Sequence, residues 1–593
     1  MNTWPSLIDM FYSQAEKFAD KPFLWSKENN SYISTNWRDV AEAVTSLARG
    51  LRELGINDGD RVVLCSENRP EWPIAHLAVM AAGGITVPAY TTNTVNDHLY
   101  ILTNSSAKAA IVSTKQLAER LINAAHQTDS VGFIITIEGV EVSQSAGPEI
   151  KSWNSVIEDG RKLDDNVQEW VSGIKNDDTA VIIYTSGTGG APKGVMLPHK
   201  AILHNCRGAA DVLSETGLDN EIFLSFLPLS HSYEYTAGQF FPISIGAQIY
   251  YAEGIEHLAK NMAEARPTIM TAVPRLYETM HGRIMRGVQQ AGGLKAKLFR
   301  NAVRLGSKKI EDPKSLTFGE SIIDGLVEKL VRNKVRGNFG GRLKALVSGG
   351  APLNADIGIF FSALGLRLLQ GYGQTEAAPV ISCNRFNNIK LHTVGPPLLD
   401  TEVKIADDGE ILVRGDLLMK GYWRNEKATN EVLKDGWLHT GDIGVIDEDG
   451  YIEITDRKKD IIVNSGGDNI SPQRVEGFLT LEPEIAQAMV YGDKQPHLVA
   501  LIVPDADFAT EWAEQNGKTD DLAQLIEDES FIKGVDVAVQ RVNENLGAIE
   551  RVHRFILTGE GFTVDNEQMT PTLKVRRHVI KKIYGEQLEA LYH

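Results

Sequence analysis

Cysteine is scarce in this chain of 593 residues, which contains only Cys65, Cys206 and Cys383. The three lie far apart and form no CxxC pair, so a disulfide framework and a cysteine-rich zinc module are both excluded. Long apolar runs are also missing, because the best stretch, residues 76–90, is interrupted by glycine and proline and falls short of the roughly 20 residues that span a bilayer. Residues 1–20 lack the basic region and apolar segment of a secretory signal. These absences predict a protein of a reducing compartment, and we expect a cytoplasmic location.

An excess of positive charge is lacking as well, since the net charge is −18 at pH 7. Phosphate backbones attract basic surfaces, so this balance argues against a nucleic-acid-binding protein. Residues 281–344 depart from the acidic whole, because they carry an excess of about ten positive charges with apolar residues between them at helical spacing. Two interpretations of this basic helical insertion stay open: a surface for a membrane or an anionic ligand, or a solvated helical segment.

The length of the chain predicts more than one domain, because 593 residues exceed what one hydrophobic core usually serves. Helical patterns alternate with short apolar strands such as residues 61–65, which predicts an α/β architecture with a largely parallel sheet. Hairpin signals around residues 402–422 indicate a β-rich part, and a smaller α/β segment begins after Asp456. We therefore predict a large N-terminal domain of layered α/β sheets plus the β-rich part, residues 1–455, and a small mobile C-terminal α/β domain, residues 456–593.

The strongest local signal is a loop rich in glycine and hydroxyl residues, Tyr184 to Gly194, which follows the apolar run 180–183. Glycines let backbone N–H groups approach a phosphate closely, and the hydroxyls and Lys193 add donors and charge. The loop is not a Walker A loop, because no hydroxyl residue follows the lysine to hold Mg²⁺. Taken by itself, the pattern fits a phosphate-binding loop and a flexible loop equally well.

Two further polar motifs follow apolar runs. Gly371–Tyr372–Gly373–Gln374–Thr375–Glu376 offers a ring for a flat base, a hydroxyl for a phosphate and a carboxylate for Mg²⁺. Ser348–Gly349–Gly350–Ala351–Pro352 follows the run 345–347. A tight turn is the alternative for each motif. Three polar turns after three strands predict a crevice at the carboxyl ends of one sheet.

Polar residues recur further along the chain. Asp442 ends the segment 437–442, and such a carboxylate can accept both hydroxyls of a ribose, while Arg457 can add a ribose or phosphate contact. The alternatives are a turn aspartate and a solvated charge cluster, and we expect Lys458 and Lys459 to be solvated. Near the C-terminus, residues 570–577 form a basic stretch, and a lone lysine in such a stretch is usually a surface residue.

Taken together, the order and spacing of these five motifs resemble the adenylate-forming superfamily, which includes acyl-CoA synthetases, luciferases and the adenylation domains of peptide synthetases. Within it the chain is most similar to long-chain fatty acyl-CoA synthetases, on the segments Leu227–His231, Ala272–Glu278 and Met569–Lys574 and the basic helical insertion. The resemblance implies a ligase that converts a carboxylate and ATP into acyl-AMP and pyrophosphate. The thiol of coenzyme A then yields acyl-CoA and AMP. Mg²⁺ is the implied cofactor, and ATP and coenzyme A are the implied co-substrates.

The resemblance also implies a role for each motif residue in binding ATP. The β- and γ-phosphates would be held by Thr185, Ser186, Gly187, Thr188, Gly189, Gly190 and Lys193. Adenine would be framed by Gly350, Ala351, Pro352 and Tyr372, and the ribose would be held by Asp442 and Arg457. Thr375 would contact the α-phosphate, and the neighbouring Gly371 and Gly373 also belong to the implied ATP site.

The remaining implied roles concern catalysis and domain motion. Lys574 would bridge the substrate carboxylate and the α-phosphate, and it forms the catalytic set with Thr185 and Glu376, the two implied Mg²⁺ ligands. The other positions serve the substrates and the hinge: His231 near the acyl pocket, Asp456 between the domains, and Gly466 and Gly467 along the coenzyme A path.

The chain departs from the family pattern at Gly189, where threonine is usual, so one hydroxyl donor to the phosphates is lost. Three alternatives stay open: an adenylating enzyme for an aryl or medium-chain acid, one that loads a carrier protein, and an inactive nucleotide-binding scaffold. We expect fatty acid, ATP and coenzyme A as partners and no nucleic acid. The sequence leaves open a peripheral membrane contact, a homodimer, the acyl chain length and the base for the thiol.

Overall fold

The computed structural model describes residues 3–140, 147–185, 191–458, 460–564, 566–570 and 575–593. Strands and helices alternate through most of these ranges, as the sequence predicts. The strands are β1 Pro22–Glu28, β2 Ser31–Asn36, β3 Arg61–Cys65, β4 Ile85–Ala89, β5 Ala109–Val112, β6 Phe133–Thr136, β7 Glu149–Ser152, β8 Thr179–Thr185, β9 Lys193–Pro198, β10 Ile222–Ser225, β11 Gln248–Tyr251, β12 Ile269–Ala272, β13 Ala345–Ser348, β14 Leu368–Gly373, β15 Val380–Cys383, β16 Glu402–Ile405, β17 Glu410–Arg414, β18 Gly421–Tyr422, β19 Leu433–Lys434, β20 Trp437–Ile446, β21 Ile452–Arg457, β22 Ile462–Val463, β23 Asn469–Ile470, β24 Ile485–Tyr491, β25 Leu498–Pro504 and β26 Val552–Leu557.

The helices lie between these strands and cover the sheets. The α-helices are α1 Leu7–Phe18, α2 Trp37–Glu53, α3 Glu71–Ala81, α4 Val95–Ser105, α5 Lys115–Ala125, α6 Trp153–Arg161, α7 Val167–Ser172, α8 His199–Leu213, α9 Phe241–Ile245, α10 Leu258–Ala265, α11 Pro274–Ala291, α12 Gly293–Glu311, α13 Phe318–Val327, α14 Asn333–Asn338, α15 Ala355–Ala363, α16 Glu426–Val432, α17 Pro472–Leu479, α18 Ala506–Asn516, α19 Leu522–Leu525, α20 Glu529–Glu544 and α21 Arg577–Ala590. Two π-helices, Glu234–Phe240 and Glu328–Arg332, and four 3-10 turns, Ser214–Thr216, Ile255–His257, Thr375–Ala377 and Ala548–Glu550, complete the described set.

Two eight-stranded sheets form the body of the protein. The first has the order β2-β1-β11-β10-β12-β13-β14-β15, and the second β7-β6-β5-β3-β4-β8-β9-β18. Neighbours in both sheets are parallel except at the edges, where β1–β2, β14–β15, β8–β9 and β9–β18 are antiparallel. Strands such as β5 are buried along their whole length, which explains why they read as unbroken apolar runs. The predicted α/β architecture with largely parallel sheets is confirmed.

One hydrophobic core joins the two sheets. Leu64 and Ile183 of the second sheet belong to the same buried cluster as Phe223 and Ile249 of the first. A polar link crosses this core, because His76 on α3 hydrogen bonds through its two ring nitrogens to Thr86 Oγ1 and Tyr235 Oη, both at 2.7 Å. Burial lowers the pKa of His76 to about 3, so the ring is neutral. The two sheets are therefore held as one unit around the site described below.

A β-rich part and a smaller α/β segment follow. Strands β16, β17, β20 and β19 form an antiparallel sheet, to which β21 adds by pairing with β20, so the predicted hairpins are present. After Ile462, β24, β25 and β26 form a separate sheet, and residues such as Val475 and Phe531 build a core of their own. The boundary predicted at Asp456 falls within β21, and it stays a prediction.

The basic helical insertion is helical, as its spacing predicts. Helices α12 and α13 run through it, and the π-helix Glu328–Arg332 and α14 complete it before β13. Helix α12 packs through Phe299, Ala302 and Leu305 on the first sheet's side of the molecule, where it meets α15. Among the helices of the described residues, none has both the length and the apolar character needed to cross a bilayer.

Two predictions about the crevice are wrong in detail. Thr185 ends β8 of the second sheet, whereas Ser348 ends β13 of the first, so the three motifs do not share one sheet. Gly371 to Gly373 are not a turn after a strand but the last residues of β14. Gly373 is required there because a Cβ would lie 1.9 Å from the carbonyl oxygen of Pro379. The motif's glycines serve the close pairing of β14 with β15.

Candidate active site

A cavity of about 620 Å³ lies where the two large sheets, the β-rich sheet and the start of the C-terminal segment meet. Its wall brings together residues from four separated motifs. The predicted site residues in the wall are Thr185, Lys193, His231, Gly350, Gly371, Tyr372, Gly373, Thr375, Glu376 and Arg457. Polar groups from distant parts of the chain converge on one concavity, as they do in ligand sites.

Thr185 and Lys193 stand at one end of the cavity, on either side of the phosphate loop. They are paired in register by the β8–β9 ladder, which brings the two ends of the loop together. The ammonium of Lys193 lies 4.8 Å from the ring centre of Tyr422, within the range of a cation–π contact. The predicted loop residues Ser186, Gly187, Thr188, Gly189 and Gly190 lie outside the described residues.

Glu376 presents a carboxylate to the same end of the cavity. The hydroxyl of Tyr422 donates to its Oε1 at 2.7 Å, so one oxygen is oriented from behind. Mg²⁺ in nucleotide sites binds one or two carboxylates and completes its shell with water and phosphate oxygens. Glu376 and the hydroxyl of Thr185 fit that pattern. The described residues hold no group of three or more metal-ligating His, Cys, Asp or Glu side chains.

The cavity also carries a preassembled polar network. Tyr372 donates its hydroxyl to Asp442 Oδ2 at 2.5 Å, and Arg457 Nε lies 3.0 Å from Asp442 Oδ1. Burial and the Asp442 carboxylate raise the pKa of Tyr372 well above its usual value, so the phenol remains a donor. Asp442 is buried behind the two residues that line the cavity.

The conformation of β20 explains how Asp442 is aimed. Gly441 has a φ of 73°, in the left-handed region that favours glycine. Its N–H donates to Glu410 Oε1 at 2.8 Å, and the N–H of Asp442 donates to Thr440 Oγ1 at 3.1 Å. Thr440 in turn donates to the carbonyl of Ile411 at 2.7 Å. The Thr440–Gly441–Asp442 segment is therefore a kink inside a strand rather than a free turn.

The middle of the cavity is lined from the segment 231–233 and from β14. Ser232 Oγ lies 3.0 Å from Thr375 Oγ1, and Tyr233 donates its hydroxyl to the carbonyl of Val347 at 2.9 Å. His231 Nδ1 accepts the N–H of Tyr233 at 3.3 Å. Apolar wall residues alongside them are Val347, Val380, Cys383, Val432 and Leu438. This mixed surface suits a ligand with an anionic end and an apolar part.

Several predicted residues lie outside the cavity wall. Ala351 and Pro352 are exposed beside Gly350, and Gly466 and Gly467 are exposed in the connection between β22 and β23. Asp456 lies on β21 next to Arg457, and burial raises its pKa to about 6. Their proposed roles stay predictions.

The catalytic lysine expected from the resemblance, Lys574, lies outside the described residues. Thr570, four residues earlier in the chain, lines the cavity. Arg577, which begins α21 just after it, is ion-paired with Glu476. Thr570, the last described residue before Lys574, therefore lies in the cavity wall.

Sequence reasoning missed some wall residues. Tyr422 stands in no motif, and only the pairing of β18 with β9 brings it to Glu376. Lys458, which was expected to be solvated, is exposed, but it also borders the cavity and pairs with Asp408 at 2.6 Å and Glu410 at 3.2 Å. Contacts between segments distant in sequence leave no local signal for either residue.

The fold and cavity define an enzyme of the adenylate-forming class, and comparison with known proteins agrees. The sequence profile of AMP-binding enzymes matches residues 11–423, and that of the AMP-binding enzyme C-terminal domain matches residues 459–593. The chain belongs to the AMP-binding enzyme family, so the resemblance stated from the motifs is confirmed.

Among its relatives is the long-chain-fatty-acid–CoA ligase FadD15 of Mycobacterium tuberculosis, 34% identical over 573 residues, which covers 94% of this chain and 93% of that protein. Another is the peroxisomal long chain acyl-CoA synthetase 6 of Arabidopsis thaliana, 31% identical with 99% of this chain and 86% of that protein covered.

Solved structures confirm the fold. The adenylation domain of a carboxylate reductase from Mycobacterium chelonae matches with a TM-score of 0.75 at 22% identity, over 99% of this chain and 91% of that one. A benzoate CoA ligase from Burkholderia xenovorans matches with a TM-score of 0.70 at 21% identity, over 97% of this chain and 99% of that one. At this identity the likeness supports the architecture alone.

Proposed function

We propose that this chain is an ATP-dependent long-chain fatty acid–CoA ligase. The carboxylate of the acid attacks the α-phosphorus of ATP and releases pyrophosphate, and the thiol sulfur of coenzyme A then attacks the acyl carbon and releases AMP. The observation that carries the proposal is full-length similarity to enzymes named for this activity, at 34% identity over 94% of the chain. The polar groups of the cavity support the proposal, because Thr185 and Lys193 suit the phosphates of a nucleotide and the Tyr372–Asp442–Arg457 network suits its nucleoside.

The chain's own residues divide the first step between them. Lys193 and the phosphate loop hold the leaving pyrophosphate end, and the Tyr372–Asp442–Arg457 network receives the nucleoside end. Asp442 has the chemistry to accept ribose hydroxyls, and the ring of Tyr372 offers a face to the base. Holding ATP at both ends fixes the α-phosphate between them, opposite the apolar wall at Val347 and Val380, where an acyl chain fits. This positioning removes much of the entropic barrier to attack.

Negative charge develops on the α-phosphate oxygens during the attack, and preorganised positive groups stabilise it. We assign this role to Lys574. Glu376 and Thr185 are the residues to hold Mg²⁺, which when bound supplies charge neutralisation at the phosphates.

The second step requires the C-terminal segment to move. We propose that residues 456–593 rotate about Asp456, withdraw Lys574 and bring Gly466 and Gly467 to the coenzyme A path. We also propose a cytoplasmic location, on the basis of the reduced cysteines, which are all buried and free.

The experiment is a coupled assay of pyrophosphate and thioester over acids from acetate through palmitate to benzoate, with and without coenzyme A. Thioester formation that peaks with long-chain acids and depends on ATP supports the proposal. Pyrophosphate release without thioester moves the acceptor to a carrier protein. Thioester with benzoate but not palmitate moves the substrate to aryl acids, and no turnover with any acid contradicts the proposal.

A further inference from the structure

Helix α13 and the π-helix Glu328–Arg332 that continues it carry apolar side chains on their outward face. Phe318 is 85% exposed, Ile322 63%, Leu326 49% and Leu330 53%. The four are spaced four residues apart, so they line one side of the helix over three turns. We call them the apolar stripe. Ile323, 39% exposed, widens it. Contiguous exposed apolar surface of this kind marks an interaction site more often than a solvated face.

The inward face of the same helix carries acidic residues beside the buried Val327, whereas the inward face of a surface helix is usually apolar throughout. Glu320, Asp324 and Glu328 also recur every four residues, and all three form ion pairs within the basic helical insertion. The pairs are Glu320 with Arg304 and Lys308, Asp324 with Lys309 and Arg332, and Glu328 with Arg332 and Arg336. The acidic residues of α13 are therefore directed away from the stripe.

Buried contacts fix the orientation of this helix, with its acidic residues inward and the apolar stripe outward. Arg332 is 4% exposed, and its guanidinium donates to the carbonyls of Ala302 and Ala363, both at 2.8 Å. It also lies 2.8 Å from Asp324. Hydrogen bonds from Lys308, then from Thr317 and Arg304, lower the pKa of Glu320 to about 2, so its charge persists under all physiological conditions. Rotating the stripe inward would break these ion pairs.

Charge distinguishes the occupants that this surface can take. The basic helical insertion contains fifteen Lys and Arg against five Asp and Glu, in a chain whose net charge is −18. Lys329 and Lys334, which follow in the chain near the end of the stripe, are exposed. A free anion such as a nucleotide satisfies the lysines but gives the stripe no apolar partner. A bilayer that contains anionic lipids satisfies both, because amphipathic helices bind there through buried apolar area and headgroup attraction.

We propose that the apolar stripe docks on an anionic lipid surface, with α13 lying flat at the interface and the exposed Lys329 and Lys334, which follow α13 in the chain, among the headgroups. The proposal rests on the proposed function in one respect: a long-chain acid partitions into a bilayer, so docking brings the enzyme to its substrate. The surface itself is independent of the active-site cavity, since none of the stripe residues lines it.

The first test is co-sedimentation of the full chain with phosphatidylcholine vesicles that contain either 30 mol% phosphatidylglycerol or none. We expect binding to the anionic vesicles that falls as salt rises from 0.1 M to 1 M, since the screening length shrinks from about 10 Å to about 3 Å. Ile322→Ser should weaken binding by roughly five- to tenfold, as expected when an isoleucine no longer buries its side chain. Ile583→Ser is the matched control, because Ile583 is 51% exposed on helix α21, and it should bind as the unmodified chain does.

A second test reports insertion directly. The three native cysteines are buried, and burial raises the pKa of each thiol to about 12, so a new exposed cysteine can be labelled selectively. An environment-sensitive dye on Ile322→Cys should shift to the blue and brighten with anionic vesicles, whereas the same dye on Ile583→Cys should not. Thioester formation from an acid in detergent micelles should be unchanged in Ile322→Ser, which separates this proposal from the proposed function.

Three results would overturn the proposal. One is equal binding of Ile322→Ser and the unmodified chain to anionic vesicles. Another is a dye on Ile322→Cys that does not respond to lipid. The third is a dimer in solution that Ile322→Ser dissociates, because the stripe would then be an interface between two copies of this chain.

Discussion

The hydroxyl of Tyr372 lies 2.5 Å from Asp442 Oδ2, and in the same cavity the hydroxyl of Tyr422 lies 2.7 Å from Glu376 Oε1. Each tyrosine is held by a different strand, β14 for Tyr372 and β18 for Tyr422. The site thus contains two tyrosine–carboxylate pairs, and on the proposed function the Tyr372 pair meets the nucleoside of ATP and the Tyr422 pair its phosphates. The same substitution at the two tyrosines should therefore have different kinetic effects.

Tyr372→Phe keeps the ring beside the base and removes the donor that orients Asp442. Because a hydrogen bond to a charged group contributes about 1.5–3 kcal/mol, we expect KM for ATP to rise by about tenfold or more, with kcat changed little. Steady-state kinetics with ATP as the varied substrate measures this. A fall in kcat at unchanged KM would instead show that Asp442 acts on the chemical step.

Tyr422→Phe and Glu376→Gln probe the phosphate end. If Glu376 holds Mg²⁺, Glu376→Gln should lower the rate of acyl-AMP formation by about 100-fold or more and raise the Mg²⁺ concentration needed for half-maximal rate. Tyr422→Phe should raise the same Mg²⁺ requirement more modestly, because it only frees the carboxylate to turn. Tyr372→Phe is the control and should leave the Mg²⁺ requirement unchanged. If Glu376→Gln needs the same Mg²⁺ concentration for half-maximal rate as the unmodified chain, Glu376 is not a Mg²⁺ ligand.

Lys574→Ala separates the two half-reactions. We expect acyl-AMP formation, followed as pyrophosphate release, to be abolished, because the positive charge at the α-phosphate is lost. Thioester formation from supplied acyl-AMP should be spared, since the proposed domain rotation withdraws the lysine for that step. Arg576→Ala, two residues along the same basic stretch, serves as a control for a general loss of positive charge. Equal loss of both half-reactions in Lys574→Ala would contradict the assignment.

Local patterns were sufficient for most of the fold. Strand β5 coincides with its apolar run, and β3 adds only the partly exposed Arg61 before its own, because strands buried on both faces are built of apolar residues. The hairpin between β20 and β21 was equally readable from Asp447 to Gly450, a turn closed by hydrogen bonds to Asp447. These features depend on neighbours in sequence.

The arrangement of strands within the sheets could not be read in the same way. Thr185 and Ser348 each follow an apolar strand, and nothing local shows that β8 and β13 belong to different sheets. Tyr422 and Lys458 enter the cavity through pairings between distant segments, so no spacing rule points to them. The π-helix Glu234–Phe240 is a further feature that the sequence analysis did not predict.

That π-helix leads to the last prediction, which concerns stability. Glu234 is fully buried beneath the cavity and accepts hydrogen bonds from Ser225 at 2.6 Å and Thr271 at 2.7 Å. Burial raises its pKa from the ordinary 4.5 to about 7 in spite of these donors. In the folded protein Glu234 therefore keeps its proton up to a higher pH than it does in the unfolded chain.

The consequence for stability has a definite sign. Between pH 4.5 and about 7 unfolding releases this proton, so rising pH favours unfolding. The contribution of Glu234 to the free energy of unfolding is therefore fully present below pH 4.5 and is lost by about pH 7. Glu234→Gln cannot ionise, so its stability relative to the unmodified chain should increase across that range, by on the order of 3 kcal/mol at most, and stay level above it. Thermal melts of both proteins at pH 5, 6, 7 and 8 measure the difference. Glu476→Gln, which leaves the half-buried Arg577 without its charged partner, should be destabilising at every pH by about 1.5–3 kcal/mol. A difference between Glu234→Gln and the unmodified chain that does not vary with pH would mean that Glu234 is ionised in the folded protein.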